Sequence, residues 1–103
     1  MILIRINCPD DATATAIARA AVDARLAACA NVEPPIRSVY RWEGVIEEGV
    51  EVPLLLKTQR HHFDAVTALV ADHHPDDVPA ILALSVDRTT EAFGGWLVAE
   101  TGG

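Results

Sequence analysis

A chain of 103 residues, half of them hydrophobic, suits one compact core and leaves no room for a second domain. Fifteen acidic residues against eight basic ones give a net charge of −7, which repels nucleic-acid phosphates and anionic membranes and attracts cations. No stretch approaches the roughly 20 apolar residues of a membrane span, and Met1 to Pro9 has neither a basic leader nor a signal-peptide core, so the expected setting is the cytoplasm.

Ile2, Leu3, Ile4 and Ile6 predict a first strand ending at Asn7-Cys8-Pro9. Asp10 and Asp11 supply N-caps for a helix over residues 12–29, in which Ile17, Ala18, Ala21, Val22, Leu26 and Cys29 recur at spacings of three and four. Its many alanines favour the helix and let it lie close to a sheet. On this reading Cys8 and Cys29 sit at opposite ends of the helix, separated by far more than the roughly 7 Å limit for a disulfide, and both are reduced thiols. Small buried hydrophobes come first as their role, a metal or redox function second.

Asn31 ends the helix, and Glu33-Pro34-Pro35 forces extended chain. Ser38 to Lys57 then reads as one long β-hairpin, with Glu47-Glu48-Gly49 as its turn and Gly44 as a bulge or kink in the first arm. Each arm has roughly ten residues against the usual five or six. The helices of so small a domain leave part of this hairpin uncovered, so the surplus is expected to pair with another chain through Tyr40, Trp42, Val45 and Ile46. Pro53 cannot donate a ladder bond, which puts its N–H side at an edge, a bulge or the overhang.

Thr58 caps a second helix with Phe63, Val66, Leu69 and Val70 as its apolar stripe, stopped at His74 by Pro75. Val78 to Val86 predicts a fourth strand. Thr89 to Thr101 predicts a last helix, short or irregular because of Gly94-Gly95. The order β-α-β-β-α-β plus a tail is α+β and ferredoxin-like, a four-stranded antiparallel sheet with both helices on one face. Its open face and long hairpin call for a closed symmetric assembly.

Five ordered motifs carry a resemblance across nearly the whole chain: Cys-Pro-Asp-Asp after the first strand, Arg-Leu-Ala-Ala-Cys-Ala-Asn at 25–31, Ser-Val-Tyr-Arg-Trp-Glu-Gly at 38–44, Leu-Leu-Lys-Thr at 55–58, and His74-Pro75 followed by Val78-Pro79. Together they resemble the CutA-type divalent-cation tolerance proteins. The resemblance implies a ferredoxin-like homotrimer with interlocking hairpins, similar in architecture to the PII nitrogen-signalling proteins. It also implies binding of copper, Cu(II), or another divalent cation through adjoining histidines, matched by His73 and His74, and a first-strand cysteine. That cysteine's position holds Ile6, and Cys8, two residues on and on the same strand face, is its substitute. Where the family pattern carries a tyrosine and two glutamates around His74-Pro75, this chain has Asp76, Asp77 and Ala80.

The histidines fall in two pairs, His61-His62 and His73-His74, about 18 Å apart along the second helix and unable to share an ion within one chain. Asp72, Asp76 and Asp77 surround the second pair, a donor set suited to copper or zinc, and the break at Pro75 lets those imidazoles converge. The first pair reads as a solvated first turn. Tyr40, Trp42, Glu51 and Lys57 are candidates to line a cleft between subunits. With no phosphate loop, CxxC, HExxH or Ser/His/Asp set, the expectation is a non-enzymatic trimer that binds divalent cations. The alternative is a PII-like sensor with a small molecule in the inter-subunit cleft.

Overall fold

Strand β1 (Ile2–Cys8) alternates without a break between buried and half-buried residues, so one face of it belongs wholly to the core. The computed structural model, which describes residues 1–102, pairs β1 antiparallel with β4 (Val45–Thr58) on one side and β5 (Ile81–Ser85) on the other. With β2 (Cys29–Val32) on the far side of β4, the sheet order is β2-β4-β1-β5. Helices α1 (Asp11–Asp23) and α2 (Phe63–His73) pack on one face, where Ile17 and Val70 meet Ile4, Ile6, Leu54 and Leu56 in a fully buried cluster. This is the ferredoxin-like arrangement the element order predicts.

The expected second strand is preceded by another, β2, at residues read as the end of the first helix. β2 and β3 (Ile36–Trp42) both lie along the same edge of β4, broken at Glu33-Pro34-Pro35. Opposite the break is Pro53, which sits inside β4 and not on the overhang. The Glu33 N–H donates to the Pro53 carbonyl at 2.9 Å. A residue's N–H and C=O point to the same side of a strand, so the donor Pro53 lacks faces the gap its partner strand has left.

β3 and β4 close through a two-residue turn at Glu43 and Gly44, with φ of 50° and 81° and Trp42 opposite Val45. Positive φ at both central positions is the turn that matches strand twist. Glu47-Glu48-Gly49, expected to be the turn, is regular strand opposite Tyr40, Val39 and Ser38. Because the turn comes earlier, β4 has 14 residues and runs the length of a molecule measuring 45 × 26 × 22 Å. Residues 36–51 form an overhang past the helices.

Helix α1 is correctly capped, Asp10 accepting the Thr13 N–H at 2.7 Å, but it stops at Asp23, six residues before its predicted end. Arg25 adopts φ 60°, a conformation glycine usually supplies at a helix end. Its guanidinium is held from a distant part of the chain, by the Glu100 carbonyl at 3.2 Å and the Glu100 carboxylate at 3.5 Å. Cys29 therefore opens β2 and is not in a helix. Cys8 lies opposite Val52 and Cys29 opposite Lys57, on different flanks of β4 and, five positions apart along it, on opposite faces. Both are free thiols, as expected.

Thr58 ends β4 and does not cap a helix; a 3₁₀ turn at Arg60–His62 leads into α2. The last helix, α3 (Glu91–Glu100), is regular despite its two glycines. Thr90 caps it by accepting the Phe93 N–H, Leu97 is buried, and a Cβ at Gly94 would stand 3.0 Å from the Thr89 methyl, so glycine here permits close approach. The Thr101 carbonyl accepts from His62 Nε2 at 2.8 Å and its hydroxyl from Gln59 at 2.8 Å, which fastens the end of α3 to the start of α2. His62 is thus a fastening and not a solvated surface residue.

Candidate functional site

The overhang has two faces, and the register sorts them. Ser38, Tyr40 and Trp42 share one with Glu47, Gly49 and Glu51; Val39, Arg41, Ile46 and Val50 share the other. Of the four expected interface residues, Tyr40, Trp42 and Val45 are therefore together and Ile46 stands behind them. Val39 and Val50, not anticipated as interface residues, accompany Ile46 as exposed apolar side chains.

On the Tyr40 face the overhang meets the end of β1 and the loop from Pro75 to Ala80, enclosing a cleft of about 720 Å³. Tyr40 and Trp42 contribute aromatic surface, and Glu47, Glu51, Asp76 and Asp77 contribute four carboxylates. Among the described residues, its lining contains no Lys, Arg or His. The Tyr40 phenol is pushed above its ordinary pKa, first by lost hydration and then by Glu47, with smaller contributions from Glu51 and Asp76. Three of the four cleft candidates are thus close to one another. Lys57 is not with them: six residues farther along β4, it reaches over the Phe93 ring at 5.8 Å.

His74 holds the cleft's loop in place. Its side chain is buried, Nε2–H donates to the Asn7 carbonyl at 2.8 Å, and Nδ1 accepts the Asp76 N–H at 3.2 Å. These partners define the Nε2–H tautomer and occupy both ring nitrogens, so His74 joins the end of α2 to β1 and offers no free lone pair. His73 is exposed; its Nδ1–H donates to the Leu69 carbonyl at 3.0 Å, leaving Nε2 open. Cys8 points into the core. The expected trio of His73, His74 and Cys8 is therefore not gathered, and among the described residues no three His, Cys, Asp or Glu side chains are placed to share an ion.

A family model described as CutA1 divalent ion tolerance protein matches residues 2–100. The chain belongs to the CutA1 family. It is 39% identical to the divalent-cation tolerance protein CutA of Thermus thermophilus, over 97% of each chain. It is 41% identical to protein CutA of Mus musculus over 89% of this chain and 52% of the relative, so it spans about half the length of that mammalian protein. The solved CutA1 structure from Thermus thermophilus superimposes with a TM-score of 0.95 at 39% identity, covering 99% of this chain and 100% of that one. The chain thus shares the CutA1 fold over nearly its whole length.

Asn7, Ser38, Asp76 and Asp77 were not anticipated as cleft residues; Ser38 shares a strand face with Tyr40 and Trp42, while Asn7 from β1 and the loop residues Asp76 and Asp77 are brought there only by the tertiary fold. Burial, followed by the charges of Asp10 and Glu51, pushes the Cys8 thiol from 9.0 up to about 11. Iodoacetamide at pH 8 should accordingly alkylate half-exposed Cys29 and spare Cys8, as read by peptide mass mapping; equal rates would contradict this environment. The same shift sets a sign for stability. An unfolded Cys8 ionises near 9.0 and the folded one near 11, so the thiol's contribution is present below pH 9.0 and lost as pH rises toward 11.

Proposed function

We propose that this chain acts as a non-enzymatic homotrimer that binds divalent cations, copper among them, and thereby contributes to metal tolerance in the cytoplasm. The observation that carries the reading is the cleft's charge: four carboxylates and no cationic side chain, in a member of a divalent ion tolerance family. Carboxylates attract such ions, and His73, outside the cleft lining, keeps an exposed Nε2, a donor of the type that favours copper over harder cations. The overhang, its apolar rear face and half-exposed Leu82 and Leu84 on the sheet face away from α1 and α2 support self-association.

The test is calorimetric titration of copper and zinc into the wild type, Glu47→Gln/Glu51→Gln, His73→Ala and His61→Ala. The glutamine variant should lose about tenfold or more in affinity for both ions, His73→Ala should lose copper affinity selectively, and His61→Ala should match the wild type. Undiminished binding by the glutamine variant would remove the cleft from the account. A second reading, a sensor that holds a small molecule in the cleft, is favoured by the cleft's size. A volume of about 720 Å³ lies within the range of small-molecule pockets and far exceeds what one ion fills.

A further inference from the structure

The Glu47 and Glu51 positions flank Gly49 on one face of β4, about 13 Å apart at the backbone by strand geometry. Between them the floor is low. Gly49 faces Ser38 across the ladder, and a Cβ at Gly49 would meet the Tyr40 hydroxyl at 4.0 Å, so the phenol reaches over the glycine and a larger side chain there would press on it. Beside that floor, Asn7 Oδ1 is buried and has no hydrogen-bond partner. A buried acceptor in that condition favours a ligand that brings a donor.

We infer that the cleft binds an organic cation carrying N–H groups, of the guanidinium or alkylammonium class; this inference rests on the small-molecule reading of the site. Every feature of the lining selects in the same direction. The four carboxylates and Asn7 Oδ1 accept hydrogen bonds, and N–H donors satisfy them. Tyr40 and Trp42 present ring surface on the same side, where a guanidinium or ammonium group gains cation–π attraction. Phosphates and carboxylates find no basic partner among the described residues of the lining. Two acidic positions separated along one strand suit a cation with a charged group at each end.

Agmatine, which carries a guanidinium and an ammonium, is the probe, titrated calorimetrically into the chelator-treated full chain at physiological ionic strength beside ADP and citrate as anionic probes. Agmatine should bind, ADP and citrate should not, and both Glu47→Gln/Glu51→Gln and Gly49→Val should weaken agmatine about tenfold or more. Gly49→Val fills the floor without changing the net charge, and circular dichroism confirms that each variant is folded. Equal agmatine affinity in wild type and Gly49→Val would reduce the effect to general charge and overturn the inference. Binding of an anionic probe, lost in Gly49→Val, would overturn the cation class while keeping the small-molecule site. No binding of any probe would overturn both.

Discussion

Aspartate at Ile46 and Val50 should separate the proposed assembly into folded single chains. These side chains are 63% and 64% exposed within the chain and share a face with exposed Val39, beyond the reach of α1 and α2. Three β-branched residues on an uncovered strand surface make a poor solvent face and a good contact face. If a second copy covers them, two buried carboxylates per chain cost far more than the association returns, because a buried unpaired charge is penalised by several kcal/mol. The fold of each chain should survive, since neither side chain touches the buried cluster that holds the helices to the sheet. Sedimentation at micromolar concentration, with circular dichroism alongside, checks both halves of the expectation. Unchanged mass would mean that this face is not the interface.

Removing the His74 imidazole should cost stability and cleft function together. In His74→Ala the Asn7 carbonyl and the Asp76 N–H each lose a partner in a part-buried setting, at about 1–3 kcal/mol apiece unless water replaces it. Against a total stability of roughly 5–15 kcal/mol that is a large fraction, and the melting temperature should fall by several degrees or more. Because the Asp76 contact anchors the loop carrying Asp76, Asp77 and Val78, one wall of the cleft loosens and cation affinity falls with it. The experiment separates a clasp from a metal ligand: melting is recorded with chelator present. A clasp lowers the melting temperature of the metal-free protein, whereas a histidine that serves only as a ligand leaves it unchanged. His73→Ala, which removes only an exposed contact to the Leu69 carbonyl, should melt like the wild type.

The large features of the fold were legible because they rest on local physics. Ile2, Ile4 and Ile6 alternate as a strand must, Asp10 caps as its side chain dictates, and Pro75 stops α2 by excluding helical geometry at His74, whose φ and ψ are −90° and 132°. The misplaced boundaries have distant or unfamiliar causes. No glycine or proline marks the end of α1; around left-handed Arg25 the Leu26 N–H donates to the Ala21 carbonyl and the Arg25 N–H to the Val22 carbonyl, an ending glycine usually supplies. The hairpin turn was misread because glutamate is an unusual first residue at positive φ, whereas Glu47-Glu48-Gly49 has the composition of a turn and is strand only because Tyr40, Val39 and Ser38 pair with it. That error of position hid the pairing of Ser38 with Gly49 and of Tyr40 with Glu47, although Tyr40, Trp42 and Glu51 were expected in the cleft they line. His74 misled for a related reason. In sequence it stands in a run of metal-type donors, and only the fold reveals that the Asn7 carbonyl and the Asp76 amide already hold its two nitrogens.

Native mass spectrometry of protein purified without chelator reads stoichiometry and bound ions in one spectrum. A self-assembled cation binder gives a species of three times the 11.1 kDa chain mass, carrying divalent ions that are lost in Glu47→Gln/Glu51→Gln. A folded single chain of 11.1 kDa, or a trimer free of ions when divalent cations are supplied, would contradict it.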